Sequence, residues 1–524
     1  MKKKKRISQA ARSQAAIKKH IPGAVESFVR KYEVLIICVL CLLAGARVFL
    51  FSAAFPFFNN VDEQLHLDTV CKYSQGHIPH GIEHISAESA RLMVMNETLE
   101  YFSPPEVFPG GKFPPPLWRF SRKEISARFE YRFSRWLGMT NHECTQPPLY
   151  YSLAGGWYKL GKVIGLKGGQ LLFWIKFLNI PICIFLVWLS YKFVKRFLSP
   201  DPYLLLGLPA LVAFMPQDTF YAITNDVLTP LVFGAAFYFL LDTYLTKSRG
   251  YLWHALAGLL TAAAVLNKYT NLPILLVLVV ICVLKLRRAK TDGTLRIELA
   301  RTSLCVVVAA LPIALWFARN QAAMGSFTGT SAFAAFLGWS RKPFLQWFDN
   351  PIFSFSGFAD FWSDVLPGFW RGEFIWYGER VALKAFDVFY WLSSSAFILA
   401  FAINLFRRRS KKFDPLNFVA ALSLFVFAMS VVMMIGMSLP YDFGRCMAPS
   451  RERPYFTAGR LISGTFIPFA AMYLGGLEII FSSLKMRSLR SLALIVILAA
   501  IIIDEIVLSL SVFKSQFNWY HLVR

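Results

Sequence analysis

Long apolar runs recur from one end of this chain to the other, and they restrict its fold more than any other feature. About eleven runs of roughly 15 to 25 residues, the length that crosses a bilayer as a helix, lie at 34–53, 170–191, 203–217, 227–245, 251–267, 271–286, 302–318, 386–405, 416–438, 460–482 and 488–511. The chain is 56% hydrophobic and 17% charged, whereas soluble domains average roughly 45–50% and 25%. The sequence therefore predicts an all-α polytopic membrane protein with about eleven transmembrane helices.

The formal net charge of +25 does not indicate a nucleic-acid partner. A nucleic-acid site gathers its basic residues on one surface, but here they form short clusters between the apolar runs. Threading the runs in order puts these clusters on one side, as the positive-inside rule requires of cytoplasmic loops; they begin at Lys2, Lys192, Lys247, Lys285, Arg407 and Lys485. We therefore expect a cytoplasmic N-terminus, an extracytoplasmic C-terminus and no nucleic-acid partner.

This threading divides the chain into three parts. Residues 1–33 form a basic cytoplasmic segment, residues 34–511 a transmembrane domain, and residues 512–524 an extracytoplasmic tail. The outer side carries two long loops and a shorter third, at 54–169, 319–385 and 439–459. Loops of this length are usually functional. Within the first, stretches 88–97 and 123–137 have helical character, and 150–162 has the aromatic residues of a helix lying at the membrane interface.

The eight cysteines show no metal-binding spacing. Five of them lie in apolar runs and are expected to be small core residues. Cys71, Cys144 and Cys446 fall in outer loops, where an oxidising compartment would permit a disulfide between Cys71 and Cys144. Free thiols at both positions are the other interpretation.

A cluster of acids follows the first apolar run directly. Residues 60–68 contain Asp62, Glu63, His66 and Asp68, and charges at the membrane boundary are costly enough to suggest function. In a helix, Asp62 and His66 share one face. Asp62 would then act as a general base toward an acceptor hydroxyl, or Asp62 and His66 would bind a divalent metal. The structural alternative is a solvated helix N-terminus, where acids favour the helix dipole.

Two further polar sets lie on the outer side. Gln146 and Tyr150 flank the paired prolines that return the first loop to the membrane; they either line a cavity or only direct the chain. Asn225 and Asp226 precede another apolar run, so they also either line a cavity or cap the next helix. Five of the eight histidines, including His142, lie in the first loop, but their spacing matches no standard zinc motif.

Several outer cations are not explained by the positive-inside rule. They are Lys268, Arg319, Arg445 and Arg460. Cations beside the outer leaflet are natural partners for a lipid-linked phosphate, and arginine suits bidentate phosphate contacts. Contact with lipid headgroups is the simpler alternative. Arg460 is the best candidate, because it leads straight into an apolar run.

Taken in order, these motifs resemble the integral-membrane glycosyltransferases of the GT-C superfamily, and most closely the bacterial multispanning proteins of the DUF2142 type. The matching residues are Val61-Asp62-Glu63-Gln64-Leu65-His66, Gln146-Pro147-Pro148-Leu149-Tyr150-Tyr151, Thr224-Asn225-Asp226, Asn267-Lys268-Tyr269-Thr270-Asn271-Leu272-Pro273, Arg319-Asn320 with Gly325, and Gly459-Arg460-Leu461-Ile462 with Pro468. Leu461 departs from the Gly-Arg-Tyr motif of related chains. The resemblance covers most of residues 34–482.

The resemblance implies a GT-C-like fold, with large extracytoplasmic loops that carry short interfacial helices, in a bacterial cytoplasmic membrane. It also implies an inverting enzyme that moves a sugar from a polyprenyl-phosphate donor to an envelope glycan, lipid or protein acceptor on the extracytoplasmic face. Asp62 would be the base or metal ligand, supported by Glu63 and His66, with Mg or Mn as the cation. Lys268 and Arg460 would bind the donor phosphate.

Two other functions compete with transfer. A transporter or flippase of lipid-linked glycans would place ionisable residues and broken helices in the middle of the membrane. The apolar runs are mostly free of charge, and polar groups gather in the outer loops. A non-catalytic envelope protein would leave the acidic cluster unexplained. The residues therefore favour an enzyme fed from the lipid phase.

Overall fold

A computed structural model describes residues 24–58, 62–198, 201–408, 413–446 and 448–522 of the chain. Most of the basic segment predicted at 1–33 lies outside these residues. So do Asn60 and Val61 of the acidic cluster, part of the basic cluster that begins at Arg407, and the last two residues of the predicted tail.

The described residues are predominantly helical. The α-helices are α1 (Ala24–Ala54), α2 (Glu63–Ser74), α3 (Ala87–Asn96), α4 (Arg122–Gly138), α5 (Leu149–Val163), α6 (Gly168–Phe177), α7 (Asn179–Phe197), α8 (Pro202–Ala213), α9 (Thr229–Leu245), α10 (Tyr251–Asn267), α11 (Pro273–Thr291), α12 (Leu295–Met324), α13 (Thr330–Phe336), α14 (Phe355–Arg371), α15 (Lys384–Arg407), α16 (Pro415–Ser438), α17 (Phe466–Ser483) and α18 (Arg490–Phe513). Proline in the first turn of α8, α9, α11 and α16 fits a position whose N–H has no partner within the helix.

Nine spans within the described residues are long and apolar enough to cross a membrane. They are Ser27–Ala54, Gly168–Phe197, Asn225–Leu245, Tyr269–Asp292, Leu295–Met324, Lys384–Arg407, Pro415–Ser438, Gly459–Ser483 and Arg487–Phe513. Two shorter apolar helices, α8 and α10, occupy the runs predicted at 203–217 and 251–267. The chain is thus an all-α multi-span membrane protein, as predicted. The run at 203–217 ends early, because α8 stops at Ala213 and irregular backbone follows.

Ion pairs join the predicted basic clusters at one end of the spans. Lys195 contacts Glu33 at 2.7 Å, and Arg196 contacts Asp242 at 2.7 Å. At the same end, Lys247 contacts Asp292 at 2.7 Å. The clusters that begin at Lys192, Lys247 and Lys285 therefore lie at the same end of the spans.

The first and last spans are tied together by a buried ion pair. Arg47 of α1 lies 2.8 Å from Glu505 of α18 and donates to the carbonyl of Met215 at 3.0 Å. The Tyr221 hydroxyl also donates to Glu505. Since an unpaired charge in a membrane interior is costly, this network fixes α18 against α1 and against the loop before α9.

The outer loops carry short elements around the ends of the spans. Helices α3, α4 and α5 form where the sequence predicted them, and a capping box in which Ser121 pairs with Glu124 begins α4. Three antiparallel pairs of short strands hold the loops: β1 (Glu83–His84) with β2 (Thr140–Asn141), β3 (Ser340–Arg341) with β6 (Tyr441–Asp442), and β4 (Ile375–Trp376) with β5 (Glu379–Arg380). Cys71 and Cys144 are both free, so the disulfide considered from the sequence is not formed.

Helix α5 packs directly on α2, which carries part of the acidic cluster. A Cβ at Gly155 would lie 3.0 Å from the backbone nitrogen of Ser74 and 3.1 Å from Tyr73 Cβ. Only glycine permits this approach without a shift of the neighbours. The contact brings Tyr151 of α5 beside the residues that follow Asp62.

Candidate functional site

Asp62 precedes α2 in a backbone conformation that few residues adopt. Its φ of 70° and ψ of 9° lie in the left-handed region, which asparagine and aspartate tolerate better than other non-glycine residues. Its carbonyl accepts hydrogen bonds from the amides of Leu65 at 2.9 Å and His66 at 3.0 Å, so it begins the helix. Backbone strain of this kind often accompanies functional sites.

Asp62 belongs to a cluster with His142 and Glu143. His142 Nε2 lies 3.6 Å from Asp62 Oδ1 and 3.7 Å from Glu143 Oε1. A short 3-10 helix, His142–Thr145, presents both residues just before the segment that begins at Gln146. The rings of Phe333 and Phe336 lie 5.2 and 5.5 Å from the His142 ring, so α13 packs against the cluster.

The opposite charges of Asp62 and His142 stabilise each other, whereas the charge of Asp62 opposes ionisation of Glu143. Burial opposes ionisation of Asp62, but the His142 hydrogen bond and nearby cations hold its pKa below the usual value. Burial also opposes protonation of His142, yet Asp62 and Glu143 outweigh it and raise the pKa of His142. For Glu143, burial and the Asp62 charge raise the pKa to about 7.

The cluster has the ligand set of a divalent-cation site. One ligand atom from each of Asp62, His142 and Glu143 lies within 4.8 Å of the other two. Two carboxylates with an imidazole suit Mn or Zn, and the carboxylates also suit Mg. The sequence paired Asp62 with His66 as metal ligands; among the described residues, His142 and Glu143 take the place of His66 in this group.

His66 lies on α2 beside this cluster and faces the loop before α9. Its Nδ1 lies 2.7 Å from the Tyr151 hydroxyl and 3.9 Å from Glu143 Oε2. Its Nε2 lies 3.4 Å from Thr224 Oγ1. Burial lowers the pKa of His66 to about 3, so the imidazole is neutral near pH 7.

Asp226 is the centre of a second cluster, which contains two cations. Its Oδ1 accepts a hydrogen bond from Lys268 Nζ, and its Oδ2 lies 3.5 Å from Arg460 Nε. The capping role that the sequence left open belongs to Thr224, whose Oγ1 accepts from the Asp226 amide at 3.3 Å. The Asp226 carboxylate is therefore available to hold Lys268 and Arg460 together.

Arg460 also contacts the second long loop. Its Nη1 lies 3.2 Å from Glu373 Oε2, and the Glu373 amide donates to Asp218 Oδ2 at 3.0 Å. Burial raises the pKa of Asp218 to about 6, although the hydrogen bond and Arg460 oppose this shift. Gly372 makes the arrangement possible, because a Cβ at this residue would lie 1.9 Å from Asp218 Oδ1.

A largely apolar cavity of about 340 Å³ lies beside the second cluster. Lys268 and Gln146 contribute polar groups to its wall. Most other lining residues are apolar or aromatic and come from α13, α16 and the outer loops, including Phe333, Trp339, Met433, Met437, Phe456 and Leu461. A cavity with a cation on one side and apolar walls on the other has the character of a site for an amphiphile.

Four residues proposed from the sequence lie elsewhere. Glu63 is fully buried, with its carboxylate 3.4 Å from Lys176 Nζ. The same carboxylate accepts hydrogen bonds from the backbone amides of Phe58 and Ile223 at 2.6 and 3.0 Å. Tyr150 is also fully buried, and burial raises its pKa. Arg319 donates to the carbonyls of Ile78 and Pro79, and Arg445 is exposed in the third loop.

The remaining proposed residues come together. A polar path joins Asp62, His66, Asp226, Lys268 and Arg460 by way of His142, Glu143 and Thr224, and Gln146 lines the adjacent cavity. Asn225 is buried behind this path, and its carbonyl accepts from Asn267 Nδ2 at 3.0 Å.

Sequence reasoning missed His142, Glu143 and Glu373 as members of the site. His142 and Glu143 stand four and three residues before the Gln146-Pro147-Pro148 segment that it singled out. An adjacent acid and histidine next to that segment was therefore a usable signal. Glu373 had no comparable signal, because only its approach to Arg460 distinguishes it from other loop acids.

No protein-family model matches the chain, and no curated protein matches it in sequence. Among solved structures, it is similar to the oligosaccharyltransferase of Archaeoglobus fulgidus in the apo form, with 13% identity and a TM-score of 0.46 over 94% of this chain and 57% of that one. The archaeal oligosaccharyltransferase AglB from Archaeoglobus fulgidus, in complex with an inhibitory peptide and a dolichol-phosphate, matches with 12% identity and a TM-score of 0.43 over 93% of this chain and 56% of that one.

A third similar structure is ArnT from Cupriavidus metallidurans bound to undecaprenyl phosphate. It shares 12% identity with this chain at a TM-score of 0.32, over 85% of this chain and 78% of that one. The chain spans little more than half the length of the two archaeal structures it matches.

Proposed function

We propose that the chain is a membrane glycosyltransferase of the GT-C type, which transfers a sugar from a polyprenyl-phosphate donor to an acceptor on the outer face. One observation supports this proposal above the others. Asp62, with His142 and Glu143, is connected through His66 and Thr224 to the cations Lys268 and Arg460, beside an apolar cavity. A carboxylate, a phosphate-binding pair and an apolar surface for the lipid are the three parts that such a transfer needs.

The donor lipid fits the cavity by its chemistry. The polyprenyl chain would contact the apolar wall formed by Met433, Met437 and Phe456, and the phosphate would lie at Lys268. Arginine and lysine bind phosphate through charge-assisted hydrogen bonds. Arg460 contacts the same Asp226 carboxylate as Lys268 and is also held by Glu373, so we propose that it binds a second phosphate oxygen.

The cluster of Asp62, His142 and Glu143 supports a role for a divalent cation. One ligand atom from each of these residues lies within 4.8 Å of the other two. A cation held there would supply electrostatic stabilisation of the leaving phosphate.

The proposed transfer is a single displacement at the anomeric carbon. Asp62 accepts the proton of the acceptor hydroxyl, and the acceptor oxygen forms a bond to the anomeric carbon. The bond between that carbon and the phosphate oxygen breaks, and the phosphate keeps the electron pair. Lys268 and Arg460 stabilise the charge that develops on the phosphate. Attack from the opposite side inverts the anomeric carbon.

Transport of a lipid-linked glycan would use charged groups in the middle of the membrane. Arg47 and Glu505 are such groups, but they pair with each other at 2.8 Å and join α1 to α18. Their contacts fit a structural role. The outer-face clusters therefore support transfer over transport.

The proposal is tested by reconstituting the purified chain with a panel of polyprenyl-phosphate sugars and measuring the release of polyprenyl phosphate by mass spectrometry. Lys268→Gln should raise the donor KM by about tenfold to a hundredfold, because a charged hydrogen bond to phosphate is worth about 1.5–3 kcal/mol. The matched control is Lys384→Gln, since Lys384 is exposed at the start of α15. Equal donor KM values for the two variants would contradict the assignment of Lys268.

A further inference from the structure

A second cavity, of about 430 Å³, lies at the opposite ends of the spans from the candidate site. It is bounded by the last turns of α9 and α11 and the first turns of α12. Its wall contains the cations Lys247, Lys285, Arg288 and Arg301, and the carboxylates of Asp292 and Glu298. Four cations against two carboxylates leave the wall with a surplus of two positive charges.

Ion pairs and a hydrogen bond hold the charged side chains in the inner part of this cavity. Lys285 has a side-chain exposure of only 9%, lies 3.0 Å from Glu298 Oε2 and donates to the carbonyl of Thr243 at 3.1 Å. Arg301 contacts the same carboxylate at 2.6 Å. Glu298 thus holds two cations at fixed positions in the cavity wall.

The outer part carries the more accessible charges. Lys247 and Arg288 both approach Asp292, at 2.7 and 3.9 Å, with side-chain exposures of 63% and 39%. The Asp292 carboxylate is therefore shared by two cations, as the Glu298 carboxylate is in the inner part. Arg288 has no closer carboxylate partner among the described ion pairs, so a phosphate at the cavity mouth would meet both side chains.

The surroundings place this cavity at the depth of lipid headgroups. Tyr251 and Trp253 begin α10 beside it, and the guanidinium groups of Arg301 and Arg249 lie 5.7 and 3.9 Å from their rings. Tyrosine and tryptophan concentrate at this interface. Farther along the same span, α12 exposes Val307, Leu311 and Leu315, an apolar surface available to acyl chains.

We propose that this cavity binds the headgroup of an anionic phospholipid, with the phosphate at Lys247 and Arg288 and the acyl chains along α12. Basic cavities between transmembrane helices are typical sites for such headgroups. A free phosphate would share the charge interaction but not the apolar contact with α12. The proposal does not depend on the reaction at the other end of the spans.

The test uses the full-length chain purified in detergent, with phosphatidylglycerol or phosphatidylcholine added and bound lipid counted by native mass spectrometry. Phosphatidylglycerol should bind wild type more tightly than phosphatidylcholine. The double variant Lys247→Gln, Arg288→Gln should weaken phosphatidylglycerol binding by about thirtyfold, since each cation near the surface is worth about fivefold.

The matched control is the double variant Arg287→Gln, Lys290→Gln, which removes the same charge from the end of α11 that carries Arg288. Arg287 and Lys290 are exposed and do not line the cavity. Its affinity should stay within about twofold of wild type. Equal loss in both double variants, or equal binding of the two lipids by wild type, would overturn the proposal.

A measurement with inorganic phosphate distinguishes a lipid headgroup from free phosphate as the ligand. In a thermal-unfolding measurement, phosphatidylglycerol should raise the midpoint of wild type and not that of the Lys247→Gln, Arg288→Gln variant. Millimolar inorganic phosphate should leave both midpoints unchanged. Equal protection of wild type by inorganic phosphate would show a free-phosphate site and overturn the assignment to a lipid.

Discussion

Gly372→Ala tests whether the backbone beside Arg460 is as tightly constrained as its contacts indicate. Gly372 has φ 79° and ψ −155°, a region almost restricted to glycine, and another residue there costs about 1–3 kcal/mol. The new Cβ would lie 1.9 Å from Asp218 Oδ1 and 2.6 Å from Gln217 Oε1. Ordinary contact begins near 3.4 Å, so Asp218 must move.

That movement breaks the hydrogen bond from the Glu373 amide to Asp218 Oδ2, which is 3.0 Å long. A buried group left without its partner costs about 1–3 kcal/mol. Together with the backbone strain, the loss of stability should be about 2–6 kcal/mol. Because Glu373 contacts Arg460 at 3.2 Å, the donor KM should rise as well.

The assay is equilibrium unfolding in detergent, followed by the polyprenyl-phosphate release measurement on the folded fraction. The control is Gly76→Ala, because Gly76 has φ 80° but no heavy atom within 4 Å of the added Cβ. It should lose only about 1–2 kcal/mol, the cost of a left-handed residue. If Gly372→Ala were as stable as Gly76→Ala and kept the wild-type KM, the constraint inferred for Asp218 and Glu373 would be wrong.

Three further outcomes are expected. Burial raises the pKa of Glu100 to about 7 from 4.5, so between these pH values the folded chain retains a proton that the unfolded chain loses. The free energy of unfolding therefore falls as pH rises through this window. Glu100→Gln should remove up to about 3 kcal/mol of that fall, measured by unfolding at pH 5 and 8. A reducing agent should leave the thermal midpoint unchanged, because Cys71 and Cys144 are free; a clear drop would indicate a disulfide. Mn²⁺ should raise the midpoint of wild type but not of His142→Ala, and equal shifts would place the ion elsewhere.

The spans and loop helices were predictable from the sequence because their signals are local. An apolar run of sufficient length must be helical in a membrane, and Ser121 with Glu124 marks the start of α4 within four residues. Threading these runs in order also predicted that the basic clusters share one side. The predictions of the spans and of the loop helices needed only residues that are neighbours along the chain.

The composition of the site was harder to predict because its contacts join distant segments. His142 reaches Asp62, and Glu373 reaches Arg460, only after the outer loops fold over the spans. Glu63 shows the opposite error. It follows Asp62 in the acidic cluster, yet it is buried against Lys176, because the left-handed conformation at Asp62 turns the chain before α2 begins. Adjacent acids need not share an environment.

Arg319 and Arg445 show a similar limit of topology rules. Threading predicted both on the outer side, but Arg319 is held by carbonyls of the first loop and Arg445 is exposed. Placement on one side of the membrane does not specify which cations meet a phosphate. The buried carboxylate of Asp226 distinguishes Lys268 and Arg460 from the others.

The most direct test of the proposed function is polyprenyl-phosphate release by Asp62→Asn in proteoliposomes that contain the donor panel and Mn²⁺. The matched control is Asp349→Asn, because Asp349 is exposed in the second long loop. We predict that Asp62→Asn stays folded and loses release by at least about a hundredfold, the scale of a catalytic base, while Asp349→Asn matches wild type. Full release by folded Asp62→Asn would contradict the assignment of Asp62 as base or metal ligand.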